Sequence, residues 1–258
     1  MLHWQIYLSG LIAISFFALL GWILSLARDN VTHVNSMWSL FIGMSAYTYA
    51  LFFYNLHPRT LLVLVLVTLW ALRLSMYLAW RDWSTHEDRR YASMRKKHQP
   101  YFWFTSIYII FGLHAITAWI VSLPLFSAIS TPTPLNFLDY IGALIIVFGL
   151  FWEGVADGQL ATFKSKPENQ HKVLCDGLWQ YCRHPNYFGE CCVWWGFYLI
   201  ALAAGAWWSI TSPILVTFLL IKVRGIAVLE KDICNKHPDY AHYIKTTNSF
   251  LPKRRKVN

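Results

Sequence analysis

At 258 residues the chain is long enough for one domain of ordinary size. It is 56% apolar and only 14% charged, whereas soluble domains carry about a quarter charged residues, so much of its surface is built to face something other than water. A formal charge of +9 is the kind of excess that membrane proteins gather in cytoplasmic loops, which sets nucleic-acid binding aside. The cysteines, Cys175, Cys182, Cys191, Cys192 and Cys234, include no pair with a two-residue gap. A zinc site, a redox pair and a disulfide framework are therefore not expected, and no metal is.

A helix that crosses a bilayer needs about 20 mostly apolar residues. The first such stretch, 4–27, has no basic residue ahead of it and is too long for a signal-peptide core, so a retained span is expected there. Further stretches follow at 34–55, 59–81, 101–123, 136–162, 187–205 and 207–229. None alternates with the period of a barrel strand. The expected fold is an all-α integral membrane protein with seven transmembrane helices, forming one domain over residues 1–258. The short gap at Gly205-Ala206 makes the last two spans a tight hairpin.

Charge alternates between the connections. Segment 82–100 carries Arg89, Arg90, Arg95, Lys96 and Lys97, segment 163–186 carries Lys164, Lys166, Lys172 and Arg183, and the tail ends in Lys253-Arg254-Arg255-Lys256. Segment 124–135, with its Thr131-Pro132-Thr133-Pro134 turn, has no basic residue, nor does the turn near 205. This pattern places the N-terminus outside and the C-terminus in the cytoplasm. The polar chemistry then collects at the cytoplasmic end, and an apolar substrate enters from the lipid.

Four clusters could carry chemistry. In the run from Leu178 to Glu190, Pro185 suits the first position of a helix, whose N-terminus beside Arg183 is a natural anion site. Asn186 and Glu190 share a face of that helix. On the fifth span, Glu153, Asp157 and Lys164 form one stripe; the carboxylates could accept bonds from amide or ribose groups, and Lys164 could meet phosphate. Arg73 lies inside the third span and must face the interior or snorkel. The same cluster continues from Arg81-Asp82-Trp83 to Tyr91, and its stretch His86-Glu87-Asp88-Arg89-Arg90-Tyr91 offers a carboxyl and a phenol that could polarise a carbonyl. In the tail, Glu230 and Tyr243 could close over a ligand, and Lys253 to Lys256 suits anionic headgroups. Asn35 and Trp38 add a polar and an aromatic group to the second span. Each cluster also has a plain structural reading: an interfacial helix start, a buried ion-pair network, a solvated loop, interhelical glue. No Gly-x-Gly-x-x-Gly, Walker-type loop or His-Glu-x-x-His is present, so any nucleotide must be held by the helical bundle and its loops.

The run Arg183-His184-Pro185-Asn186-Tyr187-Phe188-Gly189-Glu190, with Gly177-Leu178-Trp179 before it, resembles the signature of the steroid 5α-reductase superfamily, and more narrowly its bacterial DUF1295 branch. Trp70 to Arg73, Glu87 to Tyr91, the Asp157-to-Lys164 stripe, Glu230-Lys231 and Tyr240 to Pro252 match in the same order. The resemblance implies NADPH-dependent reduction of the C=C bond of a lipid-soluble, steroid-like enone in a multi-pass protein of the bacterial inner membrane, with the site open to the cytoplasm. It implies cofactor contacts at Asp157, Lys164, Trp179, Arg183, His184, Asn186, Tyr187, Glu190, Glu230 and Tyr243. Helices 1–4 then mainly form the substrate pocket, with Asn35, Trp38 and Arg73 on its walls, and helices 5–7 with the cytoplasmic loops and tail mainly form the NADPH site. The proton donor falls to Tyr91, Glu87 or Glu190. At Glu153 the animal enzymes show an amide, and the acid of their second span has no match here, Asn35 being its neighbour. The alternative is a membrane methyltransferase of the isoprenylcysteine or phospholipid type, which uses S-adenosylmethionine and shares the Arg-His-Pro-x-Tyr element.

Overall fold

In the computed structural model the described residues are 3–54, 56–83, 86–170, 172–223 and 240–254. Among them every regular element is helical. In chain order the helices are α1 (Trp4–Arg28), α2 (Val34–Phe53), α3 (Pro58–Asp82), α4 (Arg89–His98), α5 (Phe102–Val121), α6 (Leu123–Ser130), α7 (Phe137–Lys164), α8 (Pro185–Ala203), α9 (Trp207–Lys222) and α10 (Tyr240–Thr246). Of these, α1, α3, α5 and α7 are long and apolar enough to cross a membrane. Helices α2 and α8, with 20 and 19 residues, match α5 in length but carry more polar side chains, among them Asn35, Ser39 and Thr48 on α2 and Asn186 and Glu190 on α8. Helix α9 is apolar but shorter. The long helices present Ile12, Met76, Leu144 and Phe151 outward at 63–70% exposure. Apolar faces of this extent suit lipid better than water.

The chain divides into two compact units. The first is built from Met1–Asn136 with Ala201–Ser209, the second from Phe137–Ile200 with Ile210–Asn258. The division thus falls between the fourth and fifth expected spans.

The first unit is knit by aromatic groups whose polar tips find backbone partners. The Tyr7 hydroxyl donates to the Trp119 carbonyl at 2.8 Å, and the Trp119 indole N–H returns a bond to the Tyr7 carbonyl at 2.9 Å, with the rings stacked 4.5 Å apart. Tyr49 and Ser122 share a further bond at 2.9 Å. Two elements were not expected. Helix α6 occupies 123–130, in the stretch read only as a connection without basic residues; Pro124 sits in its first turn, where a missing N–H costs nothing, and Leu125 to Ile129 are buried. Helix α4 rises inside the basic 82–100 segment, started by Asp88, whose carboxylate accepts from the Arg90 backbone N–H at 2.9 Å. At the opposite end of the bundle the turn 131–134 is tied by Arg59, which has no exposed surface and donates to the Thr131 and Pro134 carbonyls at 3.4 and 3.0 Å and to the Thr133 hydroxyl.

The second unit is organised by a glycine crossing. Gly142 and Gly149 on α7, and Gly189 and Gly196 on α8, are each seven residues apart, so each pair lies on one face of its helix. A Cβ on Gly149 would lie 2.6 Å from the Gly189 carbonyl oxygen, and one on Gly196 2.7 Å from the Gly142 carbonyl oxygen. The backbones touch because no side chain separates them, the packing that membrane helices favour. The expected turn after α8 is present, in the Ala201–Ser209 segment that counts with the first unit. Gly205, with φ of +84°, and Ala206 return their N–H groups to Leu202 and Ala201 at 2.8 and 3.0 Å, closing a Schellman turn. Farther back along the two helices, the Cys191 thiol meets the Thr217 hydroxyl at 3.6 Å.

Candidate functional site

Each unit contains one polar cluster. In the first, the loop between α3 and α4 folds back onto the start of α2. The Thr32 hydroxyl accepts from the Asp88 N–H at 2.9 Å, and Glu87 accepts from the Val31 N–H at 3.2 Å. This brings Tyr91, 5% exposed, to Asn35, 3% exposed. The Tyr91 hydroxyl donates to Asn35 Oδ1 at 3.0 Å, and Asn35 Nδ2 donates to Asp82 Oδ2 at 3.2 Å. Arg81 grips Asp82 through Nε and Nη2 at 2.7 and 3.0 Å. The result is a chain of four groups ending on a buried phenol.

Glu87 has a different occupation. Arg95 reaches both its oxygens at 2.7 and 2.8 Å and also holds Asp29 at 2.7 Å. The hydrogen bond to Glu87, opposed by partial burial and helped by the two acidic charges, raises the Arg95 guanidinium above its ordinary value. A carboxylate that accepts from a guanidinium and a backbone N–H serves as a brace between the loop and α4. Trp38 is buried one turn beyond Asn35, edge-on to the His114 ring at 6.1 Å. Arg73 is half-buried on α3, nine residues before Asp82, or about 13 Å along the axis. Beside Asp82 a hollow of about 80 Å³ is lined by Asn30, Thr32, His33, Ser36 and Trp83, with the Arg28 guanidinium 5.4 Å from the Trp83 ring. That is room for a few waters, well below the size of an ordinary ligand pocket.

In the second unit the cluster sits on the glycine crossing. Glu153, Asp157 and Glu190 are each at most 6% exposed. Asn186 Nδ2 donates to Asp157 Oδ1 at 3.3 Å, and the Trp194 indole donates to Glu190 Oε1 at 3.1 Å. A Cβ on Gly189 would lie 2.8 Å from the Glu153 Cβ, so the carboxylates are gathered where the helices are closest. Lys164 stands exposed at the end of α7, two turns beyond Asp157.

The loop between α7 and α8 is fastened from both sides. Gly177, with φ of +60°, lies against Gln159, whose Oε1 accepts from the Leu178 N–H at 2.9 Å. The Trp179 indole donates to the Ala156 carbonyl at 3.2 Å. From the tail, the Tyr243 hydroxyl donates to the Trp179 carbonyl. Arg183 is buried, its guanidinium donating to the Ile244 carbonyl at 3.0 Å and the Thr247 carbonyl at 2.5 Å, and its N–H to the Asn248 carbonyl at 2.9 Å. Ile244 and Thr247 carry closing carbonyls of α10 and Asn248 follows it, so the guanidinium caps that helix. Burial pushes the Tyr243 phenol well above its ordinary value. His184 stacks on Tyr187 with ring centroids 5.3 Å apart. Glu230 lies outside the described residues.

The structure therefore joins Asn35 to Tyr91, Asp157 to Asn186, and Trp179 and Arg183 to the tail. Sequence reasoning gave no role to Arg59 or Gln159, and placed Asp82 only within the cluster that runs from Arg81 to Tyr91. It also passed over the seven-residue glycine spacing, which was legible.

A bundle of apolar helices with acids, amides and a phenol buried in its two polar clusters defines a helical membrane protein. The chain belongs to the family described as Protein of unknown function (DUF1295), whose family model matches residues 21–247. It is 24% identical over 271 residues to a Schizosaccharomyces pombe protein described as uncharacterized, covering 90% of this chain and 75% of that one. No solved structure matches the chain.

Proposed function

We propose that the chain is an NADPH-dependent reductase of the C=C bond of a lipid-soluble enone, of the steroid 5α-reductase type. The observation that carries this reading is Tyr91, a neutral acid buried in the first unit and aimed by Asn35. A reductase needs such a group to hold the carbonyl oxygen as negative charge grows there, and in a low-dielectric site a fixed donor does this far better than water. The resemblance of the Arg183-to-Glu190 run supports the same reading.

The donor set of the second unit fits the cofactor. Asp157 and Glu190 accept from amide and hydroxyl donors, Asn186 can do both, and exposed Lys164 supplies a cation for phosphate. Trp179, His184 and Tyr187 offer aromatic faces, while Arg183 and Tyr243 keep the loop in shape. NADPH, when bound, supplies the hydride that goes to the β-carbon of the enone. Tyr91 keeps its proton and donates a hydrogen bond to the ketone oxygen, and once the hydride has been transferred the α-carbon of the enolate takes a proton from solvent. The apolar bundle binds the body of the substrate by burial and keeps water out. In this reading α2, α8 and α9 join the four long helices as spans, with the N-terminus outside and the C-terminus in the cytoplasm of a bacterial inner membrane.

The test starts with the full chain in detergent. NADPH at 100-fold excess over its dissociation constant stabilises a protein that binds it only when folded by about 2.7 kcal/mol, and the melting temperature rises accordingly. A rise with S-adenosylmethionine and none with NADPH would overturn the reading in favour of the methyltransferase. With an enone supplied, Tyr91→Phe and Glu190→Gln each slow NADPH oxidation by about 100-fold or more. Full activity in both removes the site assignment.

A further inference from the structure

We infer that Asp82 is a positioning residue that sets which way the Tyr91 hydroxyl points, acting through the Asn35 amide. The inference rests on the proposed role of Tyr91 but on a different observation, the direction of the hydrogen bonds. The two ends of an asparagine amide are nearly equal in size, and only partners decide which faces where. Asp82, gripped by Arg81 through two bonds of 2.7 and 3.0 Å, is a carboxylate that can only accept. It therefore draws Asn35 Nδ2 toward itself at 3.2 Å and turns Oδ1 to the other side. Oδ1 is likewise an acceptor only, so Tyr91, 3.0 Å away, must be the donor. Three residues on α2, α3 and α4 thus behave as a row of dipoles with one sense, set at the end where the charge is.

The row has a chemical consequence. Without substrate the phenolic proton is parked on Asn35 Oδ1 and the oxygen lone pairs face elsewhere. When a ketone arrives, the proton turns from Oδ1 to the carbonyl, and the amide, still held by Asp82, has no N–H with which to follow it. The phenol is kept as a donor throughout. If residue 82 could donate, the amide could reverse and offer Nδ2 to the phenol oxygen, and the aim of the proton would be lost. The hollow beside Asp82, with Asn30, Thr32 and Ser36 on its walls, is large enough for water to reach the carboxylate.

Asp82→Asn changes one atom of the row and leaves its size alone. The full-length protein in detergent is labelled with [ζ-13C]tyrosine, and the Tyr91 resonance is identified by its loss in Tyr91→Phe. The expected result is a shifted Tyr91 resonance in Asp82→Asn, with turnover of an enone reduced roughly 10- to 100-fold, as for other partners that orient a reacting group. The KM for the enone changes less than about threefold, because Asp82 touches no substrate. An unmoved Tyr91 resonance in a folded Asp82→Asn protein overturns the inference, and so does unchanged turnover. If Asp82→Asn does not fold, Asp82→Ser, which can also donate, is put to the same two measurements. A wild-type protein that reduces no enone ends the reductase reading, and the resonance alone then decides whether Asp82 orients the phenol.

Discussion

The two units solve the problem of polar groups among apolar helices in opposite ways. In the first, the ion pairs Arg81–Asp82 and Arg95–Glu87 lie at one end of the bundle, the buried Arg59 ties the turn at the other, and the polar cluster itself buries neutral groups, Asn35 and Tyr91. In the second, three carboxylates are buried directly, at the point where α7 and α8 are closest. A neutral relay is cheap to bury and suits a group that donates a hydrogen bond. Buried carboxylates are costly and suit a site that must hold a donor-rich ligand.

That contrast can be broken by experiment. The largest effect is expected where backbones touch. Gly149→Val drives a side chain into the Gly189 carbonyl and Val193, and overpacking of this kind costs about 1–3 kcal/mol or more. Detergent-solubilised Gly149→Val should lose its monodisperse peak in size-exclusion chromatography, whereas Gly154→Ala, with nothing near its Cβ position, keeps it. Loss of neither peak would show that the crossing does not organise the second unit.

Arg59→Ala comes next. It removes a side chain with no exposed surface and strips the donors from two carbonyls and a hydroxyl of the 131–134 turn, each hydrogen bond worth about 0.5–1.5 kcal/mol. The melting temperature should fall by several degrees, and an unchanged value would mean that water takes over from the guanidinium.

A smaller effect concerns Asp88. Burial pulls its carboxyl up, but hydrogen bonds from the Arg90 side chain and backbone, and the arginine charges, outweigh this and hold it below its ordinary 3.8. A group depressed in the folded state contributes stability that is complete above its unfolded value and disappears as pH falls through the lower folded one. Asp88→Asn should therefore unfold with less dependence on pH below about 4, while still capping α4. An acid transition identical to that of the wild type would exclude the mechanism.

The smallest effect is kinetic. Burial pushes the Cys182 thiol up to about 12, and with no exposed surface it should resist iodoacetamide at pH 8 while Cys175, half-buried, reacts first. Mass spectrometry after timed labelling reads the order.

Much of the fold was legible because bilayer physics writes in long words. Apolar runs of helix length, Pro185 at a helix start and Gly205 at a reversal each follow from a handful of adjacent residues. The helices α4 and α6 were not read because a basic segment and an apolar connection look alike whether or not they coil. The candidate sites divide in the same way. Asp157 with Asn186, and Asn35 and Tyr91 one by one, stood out as polar groups in or beside apolar stretches. Their pairing did not, since Tyr91 and Asn35 are 56 residues apart and nothing local selects Asp82 as the third member. Arg183 shows the limit most clearly. Its place before a helix start suggested an anion, and the structure adds bonds from its guanidinium to the Ile244 and Thr247 carbonyls, partners more than 60 residues away that nothing local announces.

The fastening of residues 179–183 by the tail bears on the order of events in folding. Tyr243 reaches back 64 residues to Trp179, and Arg183 forward 61 to Ile244. The chain emerges from its N-terminal side, so the turn ahead of α8 is made well before the strap that shapes it. Such distant closure is slow to form and must wait for the later segment, and until then the half-made protein carries its carboxylates beside an unfastened loop.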